Sequence, residues 1–454
     1  MEIIYRQITR NKIIIFLFFV ALISGFFWNQ KMFGQPIGSD QTYYDGVASD
    51  ILNYGQFTFE GQDAFIEPFY PLFLAGIYAV FGHNYDAVRI IQIVLFALTA
   101  VLTYLLAEKI FNEKIAVWSS LAVALFYGLA NQAGDIATET LFTFLIVLFA
   151  YIVYTAYWRN KIFWYALSGF VLGLATLTKG IIQFLPLVVI LNMFAIYLKK
   201  IPIKKILVKA IVFLILFLAV LFPWFMRGGA NVSSAVAPRG GAILAVRAEL
   251  MENLYPDYFS HFIGHLFGYY FVQKFNPDIN PDAFRLTLQS GKRADDLIKE
   301  GKTYDEADRI LIEEAKSKIL AAPHKYFLIS VIDFISFNSP IIIGGSLWGN
   351  SLTIHTTFAD GRHPEIPEWA KTTILLGIRF AWFLFLGLAI YALVKNLKNW
   401  REISWLFIII FYFNLAYSAI HAIPRYALPI YPFYVILSVA GTTYFYNRYA
   451  KKQK

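Results

Sequence analysis

Apolar stretches of about 20 residues, the length a helix needs to cross a hydrocarbon core, recur along most of this chain with short polar turns between them. The pattern predicts ten membrane spans, near residues 13–28, 87–108, 115–133, 138–158, 162–178, 181–198, 207–226, 372–395, 403–421 and 426–446. A first loop, 29–86, and a long stretch, 227–371, break the alternation. Within the first, "IEPFYPLFLAGIYAVFG" (66–82) is apolar but interrupted by Pro68 and Pro71, and counting it as a span would invert every later loop. It reads as a helix lying along the membrane surface, as does Tyr326 to Leu347. In "TYDEADRILIEEAKSKILAAP", Thr303 and Glu306 have capping-box spacing and Pro323 lies just beyond the end, which predicts a soluble helix of about 18 residues.

The expected fold class is an all-α, multi-span integral membrane protein with interfacial helices and outer-face loops. Its organisation is an N-terminal membrane module, 1–226, whose first outer loop, 29–86, carries an acidic motif; an extracytoplasmic loop region, 227–371; and C-terminal membrane helices, 372–454. Composition agrees: of 454 residues, 58% are hydrophobic and 15% charged, too apolar for a soluble core.

Charge sets the orientation. Lys109, Lys114, Arg159, Lys161, Lys199, Lys200, Lys204, Lys205, Lys209, Lys395, Lys398 and Arg401 occupy the short loops of one side, which the positive-inside bias makes cytoplasmic. The net charge of +9 therefore reads as topology signals and headgroup contacts, not as a nucleic-acid surface. Arg6, Arg10 and Lys12 precede an apolar run with no cleavage site behind it, so the first span is uncleaved and both termini are cytoplasmic. Cysteine is absent, which excludes disulfides and Cys-ligated metals.

The polar residues near spans gather on the opposite side: Asp40, Asp45, Asp50 and Glu67 in the first outer loop, Asp135 and Glu139 at the turn before the fourth span, then Lys179, Arg227, His421 and Arg425. An ionisable group at this depth is costly unless paired or lining a wet cavity, which makes each a functional candidate. For any single residue, an interfacial charge or packing ion pair is the alternative, and for Glu139 the helix dipole alone favours a carboxylate. A carboxylate can take a proton from an acceptor hydroxyl while Lys or Arg holds an anionic leaving group. Glycosyl transfer from a lipid-phosphate sugar uses both functions, because a phosphate leaving group needs no proton once cations neutralise it.

Five segments carry a resemblance. "SDQTYYDGVASDILNYGQFTFEG", followed by "EPFYPLFLAGIYAVFG", is similar to the first outer loop of the GT-C superfamily of polyprenyl-phosphate-dependent glycosyltransferases, in the branch of the protein O-mannosyltransferases and aminoarabinose lipid A transferases. "ATETLFTFLIVL" (137–148), "GLATLTKG" (173–180), "FPWFMRGG" (222–229) and "PRYALPIYPF" (424–433) resemble later segments in the same order. The resemblance implies an outward cavity, a polyprenyl-phosphate sugar donor, an extracytoplasmic acceptor (lipid, protein or polysaccharide) and inversion by direct displacement, in a cytoplasmic (inner) membrane. It places Asp40 at the family's first-loop acid, hence as general base, although many relatives have Asp-Glu where this chain has Asp40-Gln41. Asp135 and Glu139 form a second acidic element one turn apart; Arg425, Lys179 and Arg227 are the expected phosphate-binding cations; and Tyr44, Glu67 and His421 are candidate substrate contacts.

Some relatives bind a divalent cation near the acids, but nothing in this sequence requires one. His261 and His265 have i, i+4 spacing with no third ligand nearby, which reads as surface or core histidine, and His363 is isolated. The sequon Asn231-Val232-Ser233 reads as a chance match. Two other classes stay open: a transporter or flippase of lipid-linked substrates, which would place its charges near the midplane in paired halves, and a polysaccharide polymerase or ligase using lipid-pyrophosphate donors.

Overall fold

The computed structural model describes residues 2–38, 40–64, 66–227, 240–254, 257–279, 288–340 and 367–450. They are almost entirely helical; a small antiparallel hairpin pairs Thr58 with Asp63 and Phe59 with Gln62. The elements up to residue 227 are α1 (Glu2–Asn29), α2 (Asp40–Tyr54), α3 (Phe69–Phe81), α4 (Tyr85–Ile110), α5 (Glu113–Leu125), α6 (Tyr127–Gln132), α7 (Thr138–Arg159), α8 (Ile162–Thr178), α9 (Leu185–Tyr197) and α10 (Ile203–Arg227). Beyond them lie α11 (Gly240–Asn253), α12 (Tyr258–Phe267), α13 (Tyr269–Val272), α14 (Leu288–Lys299), α15 (Tyr304–Ala321), α16 (Pro323–Phe337), α17 (Glu368–Lys395), α18 (Trp400–Ile420) and α19 (Tyr431–Ala450).

The all-α membrane architecture is as expected, but the number of long spans differs. Among the described residues eight helices are long and apolar enough to cross a membrane: Gln7–Asn29, Tyr85–Ile110, Thr138–Arg159, Gly180–Tyr197, Ile203–Met226, Thr373–Lys395, Leu397–Ile420 and Pro424–Arg448. The expected span at 115–133 is divided, because Phe126 leaves the helix with φ −73° and ψ 110° and its N–H bonds Val123 O at 3.2 Å. The remaining 13-residue α5 reaches only about 20 Å at 1.5 Å per residue. Helix α8, at 17 residues, sits at the lower limit of a span.

Local chemistry sets the other boundaries. Asn84 caps α4 by accepting from the N–H groups of Asp86 and Ala87. Thr303 and Glu306 form the full capping box at the start of α15. Pro323 opens α16, and the two helices meet at a bend of 102°. As its prolines suggested, α3 is a short apolar helix of 13 residues. Residues 341–347 of the expected surface helix, His363 and the sequon at 231–233 lie outside the described residues.

The chain divides into two compact units. The first comprises Met1–Pro238, Leu386–Phe413 and Leu428–Lys454. Its core is set by close helix contacts: a Cβ at Gly169 of α8 would lie 2.1 Å from Phe213 O of α10, and one at Gly173 would lie 2.7 Å from the Val220 side chain. Arg10 of α1 grips Glu108 of α4 through three hydrogen bonds of 2.8–3.0 Å.

The second unit comprises Arg239–Phe385 and Asn414–Ala427. Leu250 and Met251 of α11, with Leu254 just past its end, pack with Ile329 and Ile332 of α16, while Leu297, Ala307 and Leu311 join α14 to α15. Arg247 and Asp333 form an ion pair inside this unit with both side chains fully buried.

Candidate functional site

In the first unit, side-chain contacts link the loop 29–86 to the turns before α7 and α9. Asp40 is the exposed first residue of α2, where an acid favours the helix dipole. The next residue, Gln41, accepts the N–H of Ile136 at 3.2 Å, which ties the start of α2 to the turn holding Asp135. The Asp135 carboxylate accepts from Gln132 Nε2 at 3.0 Å, and its main-chain oxygen accepts from Gln92 Nε2 at 2.7 Å. Gln92 in turn accepts from Tyr70 OH at 2.9 Å, and the Tyr70 ring meets that of Tyr44 edge-on at 5.1 Å.

On the other side of this turn, Glu139, in the first turn of α7, pairs with Lys179 Nζ at 3.0 Å. Glu67 accepts the N–H of Gly180 at 2.7 Å, so the loop after α8 is held from two directions. Glu139, Thr140, Thr143 and Gln132 also line a small recess with Phe96, Thr99, Leu129 and Leu428. The structure thus sets Tyr44 and Asp135 in one cluster and Glu67, Glu139 and Lys179 in another beside it, with Asp40 at the start of the helix that Gln41 ties to the Asp135 turn. Residues distant in sequence meet because the first turns of α2, α4 and α7 and the end of α8 come together.

The remaining candidates stand elsewhere. Arg227 is the last residue of α10, and its side chain lies outside the described residues. His421 and Arg425 belong to the second unit. There Arg425 lies over the Tyr426 ring at 5.8 Å, and that ring stacks on Tyr417. Burial pushes the His421 imidazole down to about 4.

His261 and His265 are buried beside Tyr269, whose OH lies 2.9 Å from His261 Nδ1. Burial lowers them to about 4 and about 3 respectively. Among the described residues no three His, Asp or Glu side chains converge as a cation site.

Several members of these clusters escaped the sequence reading. Gln92 and Arg89 are almost completely buried on α4. Arg89 donates to Asp86 at 2.7 Å and to the main-chain oxygens of Gln35 and Gly134 at 3.0 and 3.4 Å. Two long polar side chains three apart in an apolar span were the available signal.

The chain is similar to known proteins in sequence and in fold. Residues 67–226 match the family described as dolichyl-phosphate-mannose-protein mannosyltransferase. An uncharacterized protein of Aquifex aeolicus is 32% identical over 146 residues, 31% of this chain and 29% of that protein. The undecaprenyl phosphate-alpha-4-amino-4-deoxy-L-arabinose arabinosyl transferase of Pseudomonas paraeruginosa is 30% identical over 158 residues, 32% of this chain and 28% of that one. The matched segments therefore span under a third of these relatives' lengths. Among solved structures, the oligosaccharyltransferase AglB of Archaeoglobus fulgidus, in complex with an inhibitory peptide and a dolichol-phosphate, superposes with a TM-score of 0.58. That likeness covers 98% of this chain and 51% of AglB at 12% identity.

The chain is a multi-pass membrane protein with the fold of the GT-C glycosyltransferases. The segment that carries Glu67, Asp135, Glu139 and Lys179 lies within the match to the mannosyltransferase family, and a stretch of 158 residues resembles the arabinosyl transferase.

Proposed function

We propose that this protein is a glycosyltransferase that moves a sugar from a polyprenyl-phosphate donor to an acceptor on the extracytoplasmic side of the cytoplasmic membrane. The observation that carries the reading is the pair of polar clusters of the first unit, in which the Asp40 helix is tied through Gln41 to the Asp135 turn while Lys179 is held by Glu139. The family match over 67–226 and the use of undecaprenyl phosphate sugar by a named relative support the donor class.

In this mechanism the Asp40 carboxylate removes the proton of an acceptor hydroxyl. The acceptor oxygen bonds the anomeric carbon as the bond to the phosphate oxygen breaks, and the electron pair leaves with the polyprenyl phosphate. Attack opposite the leaving group inverts the anomeric centre. Lys179 is assigned to the phosphate, and Arg425 is tested separately for an anion-binding role. A general base is worth about 10²–10⁴-fold in rate.

The test is transfer of radiolabelled sugar from a panel of polyprenyl-monophosphate sugars in membranes holding wild type, Asp40→Asn or Arg425→Ala at equal levels. Wild-type turnover that falls at least about 100-fold in well-folded Asp40→Asn supports the base assignment. Full activity in that variant removes it, and donor flipping without bond cleavage replaces the enzyme by a transporter.

A further inference from the structure

Asp45 lies five residues after Asp40 on α2, about 140° further round the helix at 100° per residue. The two acids have opposite environments: Asp40 is exposed and Asp45 is buried. Asp45 Oδ1 accepts from Tyr78 OH and lies against His83 Nε2, both at 2.7 Å, and Oδ2 accepts from Tyr85 OH at 3.1 Å. These partners come from the last turn of α3, the α3–α4 connection and the first residue of α4. One carboxylate therefore gathers both neighbouring helices. His83 fits edge-on against the rings of Tyr78 and Tyr85, with centroids 4.7 and 5.1 Å away. Burial and the adjoining carboxylate push the Tyr78 phenol well up, which keeps it a donor.

Helix α2 needs such an anchor. A 15-residue helix is marginal by itself in water, and its buried side chains are Asp45, Val47 and Ala48. At its ends Gln41 accepts the Ile136 N–H and Asp50 accepts from Thr58 Oγ1, and the rings of Tyr43 and Tyr44 meet those of Phe59 and Tyr70. Between the ends, Gly46 sits over the Phe59 ring so closely that a Cβ would be 2.5 Å away. Charge-assisted hydrogen bonds are about twice as strong as neutral ones, and the Asp45 carboxylate has three side-chain partners where Asp50 has Thr58.

We infer that Asp45 is the positioning residue of the first-loop helix: by collecting Tyr78, His83 and Tyr85 it fixes the rotation of α2 about its own axis, and thereby the direction in which Asp40 faces. This rests on the proposed role of Asp40. Asp45 does not touch substrate; it acts through the helix.

Two readouts test it on the full chain in nanodiscs, with Asp45→Ala, Asp45→Asn and Tyr78→Phe. The first is hydrogen exchange of residues 40–54, which needs no turnover; the second is kcat and donor KM. Asp45→Ala should speed exchange of 40–54 by about tenfold or more while the middle of α4 is unchanged. Its kcat should fall about 10–100-fold, as expected for a misplaced reacting group, with donor KM within about twofold. Asp45→Asn keeps an acceptor oxygen and should recover most of both, and Tyr78→Phe should show a smaller version of the same pattern. If Asp45→Ala does not fold, the two milder variants carry the comparison.

Unchanged exchange means that Asp45 does not hold the helix. Faster exchange with unchanged kcat means that helix rotation does not set the rate. Either result overturns the inference. A wild type inactive on every donor tells instead against the proposed function, and the exchange arm still decides whether Asp45 anchors α2.

Discussion

Each unit of the molecule holds a buried ion pair, and the two pairs are built differently. Arg247–Asp333 in the second unit is sealed, with both side chains at 0% exposure. Besides Asp333, the Arg247 guanidinium donates to Ser330 Oγ at 2.6 Å and to the main-chain oxygens of Ser418 and Tyr326 at 3.0 and 3.5 Å. Its plane also lies over the Tyr326 ring. A guanidinium occupied on this scale has little left for a ligand. Lys179–Glu139 in the first unit is 17% and 4% exposed, so its cation reaches the surface of the cluster. Burial of a charge is therefore not by itself the mark of a site; a charge that is held yet reachable is a better one.

The largest expected effect sharpens this contrast by pH. The second unit holds His261 and His265 buried and His421 partly buried, lowered from the usual 6.5 to about 4, about 3 and about 4 respectively. Above 6.5 they are neutral in folded and unfolded chains alike. Below it the unfolded chain takes protons that the folded one refuses, so stability falls with pH until the folded values are reached. Each group contributes about 1.4 kcal/mol per unit crossed. Thermal unfolding between pH 7.5 and 4, with exchange followed at 257–279 and 421–427, should show the loss centred on this unit. A His261→Gln, His265→Gln, His421→Gln variant with an unaltered pH slope would refute that assignment.

Next in size is the sealed pair. Asp333→Leu leaves a buried guanidinium without its counter-charge and should cost about 3–5 kcal/mol, whereas Arg247→Met with Asp333→Leu should recover most of it. Denaturant midpoints in detergent read both. A double variant as unstable as the single one would mean that the Ser330 and Ser418 contacts, more than charge balance, hold this region.

The sequence displayed the membrane class, the orientation signals and the cap at Thr303 because hydropathy, charge at span ends and capping are local patterns. It displayed ten spans where eight long ones stand because α8 stops at 17 residues and nothing local announced the break at Phe126, beyond which Asn29 of α1 donates to Ala130 O at 2.7 Å. Glu139 and Lys179 were visible as separate candidates. Their pairing was not, since 40 residues of chain separate them. Asp45 was conspicuous as an acid, but nothing local announced that Tyr78, His83 and Tyr85 would converge on it.

The open pair tests the chemical half of the contrast. Lys179→Met should lower transfer by about 10²-fold, the scale of one lost anion-stabilising group, and should also destabilise by stranding Glu139. Adding Glu139→Gln removes the stranded charge. Stability should return while transfer stays low, which separates a cation that meets substrate from one that only balances its neighbour. Recovered transfer in the double variant would make Lys179 as structural as Arg247.

The smallest effect concerns Gln41, where many relatives of the resembling branch carry Glu. In this chain the amide oxygen accepts the Ile136 N–H at 3.2 Å, a task a carboxylate performs equally well. Gln41→Ala should cost about 0.5–1.5 kcal/mol, the net worth of one hydrogen bond, and should loosen the Asp135 turn. Gln41→Glu should stay within about twofold of wild type in kcat, because it keeps the acceptor. The added charge beside Asp40 and the Asp135 turn should show mainly in which acceptors are used. Thermal shift with transfer to two acceptors of different charge distinguishes the cases. If Gln41→Glu loses as much as Gln41→Ala, the amide supplies something an acceptor oxygen alone does not, and the N-terminal tie of α2 is part of the chemistry as well as of the scaffold.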